Sequence, residues 1–162
     1  PHKGPHFGPA RFDSVWRDTD GVDTYTAPDD SRDKIIGLAG DDVLQAGDRN
    51  DLVRGNTGDD ELYGGDGRDK VNGGAGEDEL YGGADPDKLL GGSGDDYIDG
   101  GTGPDRIRSG AGNDTIVADD GQRDWIDCGP GEDTVTADSR DRIRRNCETV
   151  TRVFSDDEAD AE

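Results

Sequence analysis

An aspartate returns every nine residues, without a gap, at Asp33, Asp42, Asp51, Asp60, Asp69, Asp78, Asp87, Asp96, Asp105 and Asp114. Two places after each stands a branched aliphatic: Ile35, Leu44, Val53, Leu62, Val71, Leu80, Leu89, Ile98, Ile107 and Ile116. Glycine opens most units, as in GGAGEDELY (Gly73 to Tyr81) and GGSGDDYID (Gly91 to Asp99). A fixed short period of this kind describes a solenoid, in which each unit is too small to bury a face alone and gains a core only by stacking on its neighbours.

Composition makes the regularity more pointed. The chain has 162 residues and a net charge of -22, from 40 acidic and 18 basic residues. Leu, Ile, Val and Phe make up 16% of it, below the roughly 20% under which a highly charged chain is expected to stay disordered. So regular a repeat is hard to reconcile with disorder, yet its apolar content is too small to fold it. Something must neutralise the carboxylates, and divalent cations are the simplest agent.

The same charge argues against nucleic acid as a partner, because phosphates would be repelled. No apolar run approaches the ~20 residues of a membrane span. The sequence has no Met and no signal peptide, which reads as a chain processed or cut from a longer one. The only histidines, His2 and His6, lie in a glycine- and proline-rich opening segment. No Ser-His-Asp or Cys-His set can be assembled from these residues, so the sequence does not read as an enzyme.

The units resemble the RTX (repeats in toxin) family of haemolysin-type calcium-binding repeats, whose pattern is Gly-Gly-x-Gly-x-Asp-x-U-x with U a large aliphatic. The resemblance covers residues 28–117 in strict phase, with degenerate copies on both sides. It implies an all-β fold, a right-handed parallel β-roll with two repeats per coil: each glycine-rich six-residue stretch a turn, each x-U-x a short strand, and calcium between stacked turns. The chemistry agrees. Ca²⁺ takes six to eight oxygens from carboxylates and carbonyls. Glycine lets a turn aim its carbonyls inward. Two turns stacked at about 4.8 Å could share one ion. Ten units make about five coils of regular core, hence about eight sites, with five to seven coils once the ends are added. Read as turn formers alone, the aspartates would have no reason to recur in phase, and stacked carboxylates would repel.

Splitting the units by parity reveals an eighteen-residue pattern. On one edge Gly40, Gly58, Gly76, Gly94 and Gly112 hold the fourth place, and Asp41, Asp59, Glu77, Asp95 and Asn113 precede the phased aspartate. On the other edge the fourth-place glycine gives way to Ser31, Arg49 and Asp85. If that place needs positive φ, Arg49 and Asp85 are strained. Asp30, Asp48 and Asp66 at the third place are candidate extra ligands on this weaker edge. The strands divide likewise. One sheet should present Lys34, Arg54, Lys70, Lys88, Arg106 and Arg108 outward, the other Glu61, Tyr63, Glu79, Tyr81, Tyr97 and Asp99. Tyr63 and Tyr81 should stack.

Beyond the regular array, Asp124 and Asp133 continue the pattern as further candidate ligands, after a one-residue slip. GVDTYTA (Gly21 to Ala27) and GEDTVTA (Gly131 to Ala137) look like copies of one worn unit at the two ends. Val15, Trp16 and Tyr25 are expected to cover the first coil, and Trp125 to pack at the other end. Cys128 and Cys147 are the only cysteines and are expected to form a disulfide, which would stabilise by roughly 3 kcal/mol and suits an oxidising extracellular setting. Free thiols or a metal pair are the alternatives.

The expected organisation is therefore an extension (1–14), an N-terminal cap (15–27), ten regular repeats (28–117), degenerate repeats with a C-terminal cap (118–154) and an acidic tail (155–162). The expected function is calcium binding coupled to folding, with about eight or more Ca²⁺, in part of a secreted protein. The rival is a structural or adhesive extracellular protein that assembles through the faces or ends of the solenoid. Otherwise the chain is a monomer with weak self-association at most.

Overall fold

The computed structural model describes residues 14–17, 20–28 and 31–154. His2, His6, Asp30 and the acidic tail lie outside the described residues. Sixteen strands follow one another: β1 (Ser14–Arg17), β2 (Thr24–Thr26), β3 (Asp33–Ile36), β4 (Val43–Asp48), β5 (Leu52–Thr57), β6 (Glu61–Asp66), β7 (Lys70–Ala75) and β8 (Glu79–Ala84). Then come β9 (Lys88–Ser93), β10 (Tyr97–Thr102), β11 (Arg106–Ala111), β12 (Thr115–Ala118), β13 (Trp125–Asp127), β14 (Thr134–Asp138), β15 (Arg142–Ile143) and β16 (Thr149–Val153). Odd-numbered strands form one parallel eight-stranded sheet and even-numbered strands another. The fold is thus an all-β parallel solenoid, a β-roll.

The core is one side chain wide. The phased aliphatics align in register, Val53 on Val71 and Leu62 on Leu80, for example, and all are 0–1% exposed. Their strand neighbours face outward, because successive side chains on a strand point to opposite faces. The odd sheet accordingly carries Lys34, Leu52, Lys70, Lys88, Arg106, Trp125 and Arg142 in one outer column. The even sheet carries Glu61, Glu79 and Tyr97 in one column and Tyr63, Tyr81 and Asp99 in the next. Tyr63 and Tyr81 stack with ring centroids 4.8 Å apart. The basic and the acidic-aromatic faces are as expected.

Four expectations are corrected. Strands β4 to β11 are six residues long, not three, because the ladder continues through the glycines, as in Gly65↔Gly83 and Gly74↔Gly92. The turn proper shrinks to the fourth to sixth places. With eight strands in each sheet, the roll has about eight coils rather than five to seven, because the worn units at both ends join the ladders. Val15 is 60% exposed and covers nothing. Trp16 and Tyr25 do the covering, since they fall in register with Ile35 and Leu44 and stack on each other at 4.3 Å. Trp125 is not end packing: it precedes the buried Ile126 and stands on the outer face, paired in register with Arg106 and Arg142.

Cys128 and Cys147 are joined in a disulfide, with both residues buried at the C-terminal end of the core. Among the described residues no helix is long and apolar enough to cross a membrane.

Candidate functional site

The phased aspartates line the two edges of the roll as two columns of buried carboxylates. Asp33, Asp51, Asp69, Asp87, Asp105 and Asp124 form one, and Asp42, Asp60, Asp78, Asp96, Asp114 and Asp133 the other; each is 0–4% exposed. Every link is the same. The backbone N–H of one aspartate donates to Oδ1 of the aspartate one coil further on, as from Asp51 to Asp69 (2.7 Å), Asp60 to Asp78 (2.9 Å) and Asp96 to Asp114 (2.9 Å). One carboxylate oxygen therefore has a structural task, the turn-forming role that sequence reasoning had set against ligation.

The second oxygen has none. Oδ2 is buried and without a hydrogen-bond partner at Asp42, Asp51, Asp60, Asp69, Asp78, Asp87, Asp96, Asp105, Asp114, Asp124 and Asp133. It lies against the first-place residue of its own unit: a Cβ on Gly55 would come within 2.0 Å of Asp60 Oδ2, and one on Gly91 within 2.3 Å of Asp96 Oδ2. A buried, unpaired polar atom costs about 1–3 kcal/mol, more when charged, and recurrence in nearly every coil makes it a built feature.

The electrostatics point the same way. Burial pushes the carboxyls up from the usual range, to about 6 at Asp51 and Asp78 and about 7 at Asp60, Asp69, Asp96, Asp105 and Asp124. Asp87 reaches about 8, first through desolvation and then through the neighbouring charges of Asp69, Asp105 and Asp85. Carboxylates so placed must take up a proton or a cation.

The fourth place demands positive φ. Gly94, at φ 122°, passes so close to the coil before it that a Cβ would meet the Gly76 carbonyl oxygen at 1.9 Å. On the other edge Arg49 (φ 87°) and Asp85 (φ 76°) hold this conformation without being glycine, so the strain expected there is present. Asn56 (φ 87°) was not anticipated; it sits at the second place, Asn is among the few residues that visit this region, and its side chain donates across to the Gly37 carbonyl of the preceding coil at 3.0 Å.

Fifth-place residues form a second, exposed ladder of opposite direction. The N–H of Asp59 donates to Asp41 Oδ1, that of Glu77 to Asp59 Oδ1, and that of Asn113 to Asp95 Oδ1. Asp48 and Asp66 are exposed and in register with each other at the third place, close enough to Asp51 and Asp69 for their charges to raise those carboxyls. Gly40, Gly58, Gly76, Gly94 and Gly112 all occupy the turns between the sheets.

Sequence reasoning missed how the columns end. Asp23 donates to Asp42 Oδ1 and so heads one. Glu148 closes it by accepting from the Asp133 N–H at 3.0 Å. Asp141 closes the other, accepting from Asp124 and, through Oδ2, from Asp138. The likeness of GVDTYTA to GEDTVTA was the available signal for Asp23. Glu148 gave none, since its longer side chain reaches the column from an irregular stretch.

Among the described residues no three His, Cys, Asp or Glu side chains converge as a metal cluster. Each coil offers one buried phased carboxylate per edge, so a bound cation would draw most of its remaining oxygens from backbone. That donor set, oxygen only and without sulfur or imidazole, suits a hard cation such as Ca²⁺ and not zinc or copper.

No curated protein and no solved structure matches the chain. The family model for the RTX calcium-binding nonapeptide repeat (4 copies) matches at residues 29–60, 45–80, 54–89, 72–107 and 90–123. Together these matches span more than half of the sequence and cover the two carboxylate columns from Asp33 to Asp114, and the chain belongs to the family of RTX calcium-binding nonapeptide repeats.

Proposed function

We propose that this chain is a calcium-driven folding module of a secreted protein, taking about eight or more Ca²⁺ between stacked turns. The observation that carries the reading is the repeated buried Oδ2 without a partner. In each site the phased aspartate, from Asp42 through Asp133, supplies that oxygen, and glycine-rich turns such as those at Gly58 and Gly76 supply carbonyls. At Asp33 the Oδ2 accepts from the Ser31 hydroxyl at 2.7 Å, and it would join a site through an oxygen shared with that bond. Asp41, Asp59 and Asp95 on one edge, and Asp48 and Asp66 on the other, add outer carboxylates. The edge that keeps its fourth-place glycines fills more completely than the edge bearing Ser31, Arg49 and Asp85.

Bound calcium would supply charge neutralisation. The chain's own part is to hold one oxygen of each carboxylate on a backbone amide while presenting the other. At free calcium ten times a site's Kd, each site would add about 1.4 kcal/mol to folding, so occupancy of many sites decides whether so apolar-poor a chain folds. The disulfide Cys128–Cys147 supports an oxidising, extracellular setting.

Far-UV circular dichroism in EGTA and in millimolar CaCl₂ tests the reading. Strand signal is expected only with calcium; the same signal in both overturns it.

A further inference from the structure

The outer face of the odd sheet ends in a place whose charges the carboxylate columns do not explain. A cavity of about 500 Å³ opens there, its walls formed by Pro104, Arg106, Arg123, Trp125 and Arg142, with Asp105 and Asp124 at its base. Arg106, Trp125 and Arg142 belong to one register column across β11, β13 and β15. Arg123 stands in the turn leading into β13. All three arginines are exposed.

None of the three has an ion-pair partner among the described residues. The salt bridges run one column over, where Asp127 is shared by Arg108 (3.5 Å) and Arg144 (3.1 Å). Asp105 and Asp124 do not answer them: they are 2% and 1% exposed, and their Oδ1 atoms are held by the amides of Asp87 and Asp105. Three cations around one cavity repel one another, in a chain with acid to spare. An ordinary solubilising surface would interleave charges of both signs.

Trp125 adds a flat apolar wall. Arg144 lies over its ring, 4.9 Å from the centroid, and the side chain is half-buried. Guanidinium forks match carboxylate, sulfate and phosphate oxygens two at a time. The volume falls within the range of small-ligand pockets.

We propose that this cavity binds a compact ligand bearing two or more anionic groups, carboxylate, sulfate or phosphate, on a flat frame. Trp125 takes the frame, and Arg106, Arg123 and Arg142 take the anions. The site rests on the calcium reading in that the roll must be folded and that Asp105 and Asp124, at the base of the cavity, belong to the proposed calcium array, so binding is measured at saturating calcium.

Isothermal titration of the full chain in excess CaCl₂, with benzene disulfonate as probe and benzenesulfonate as the singly charged control, tests this; sulfonates leave calcium in solution. One disulfonate per chain is expected, with affinity roughly tenfold or more above the control. The R123Q/R142Q double variant, and R106Q independently, should lose about tenfold. K70Q/K88Q, which removes equal charge from the same face, should change affinity less than about twofold. Circular dichroism of each variant in CaCl₂ verifies the fold, so failure here is separate from failure of the calcium reading. Equal affinity for both probes, or an equal loss in K70Q/K88Q, overturns the proposal. So does binding that appears only when the chain is ended after Phe154, since the cavity would then serve the chain's own acidic residues rather than an outside ligand.

Discussion

A Cβ placed on Gly73 would lie 2.2 Å from Oδ2 of Asp78. The first-place glycine of this unit therefore keeps open the space beside the oxygen that has no partner. Gly73→Ala is expected to destabilise the calcium-loaded roll by about 1–3 kcal/mol, as overpacking does, and to weaken calcium binding. Urea unfolding in CaCl₂ measures it, with the exposed third-place Ala75→Ser as a neutral control.

Asp60→Asn separates the two roles of the phased carboxylate. The amide oxygen can still accept the Asp42 N–H now bonded at 2.9 Å, but the charge and the second carboxylate oxygen are gone. Calcium stoichiometry by titration should fall by at least one ion per chain, with a lower Tm in calcium. Unchanged stoichiometry would leave Asp60 as a turn former only.

Arg49 and Asp85 occupy positive φ at a cost of roughly 1–3 kcal/mol each. Arg49→Gly and Asp85→Gly should each stabilise the folded roll by about 1 kcal/mol, read as a raised urea midpoint in calcium. A loss of stability in both would mean these side chains hold the weaker edge together.

Protons should compete with calcium. Burial pushes the carboxyls of Asp51, Asp60, Asp69, Asp78, Asp87, Asp96, Asp105 and Asp124 up to about 6 to 8 in the roll, against about 3.9 for an unfolded aspartate. Because the folded values are the raised ones, they favour the roll fully below pH ~4, and that contribution is lost as pH rises through 6 to 8. In EGTA, strand signal should grow on acidification. In calcium, affinity should weaken as pH falls from 8 to 6, with protons released on binding, measurable by titration in buffers of different ionisation enthalpy.

Reduction of Cys128–Cys147, or the paired Cys→Ser variant, should cost roughly 3 kcal/mol and loosen β15 and β16 first. Hydrogen exchange would show early loss of protection at Thr149–Val153.

The period made most of this legible. A residue that recurs every nine places must stack, and the resemblance to a roll with two repeats per coil turned that spacing into the ladder, the core column and the two outer faces. What escaped lay where the period breaks. Trp125 was assigned to an end because it follows a slipped unit, yet the slip is absorbed in the turn and leaves Trp125 in register with Arg106. Glu148 was invisible because a glutamate directly after Cys147, fifteen residues from Asp133, satisfies no repeat. The three-residue strands were too short because glycine normally weakens a strand, whereas here glycines face one another across the ladder, as Gly65 does Gly83 and Gly74 does Gly92.

Each coil is linked only to the coils eighteen residues before and after it, so the roll has no preferred length. Excision of residues 64–81 would bring Asp87 Oδ1 to the Asp51 amide and Asp96 Oδ1 to the Asp60 amide, leaving both caps untouched. Excision of only nine residues would transpose every later strand to the opposite sheet, setting lysines among the tyrosines and glutamates. This architecture can be shortened or lengthened by whole turns of its spiral, and by nothing smaller.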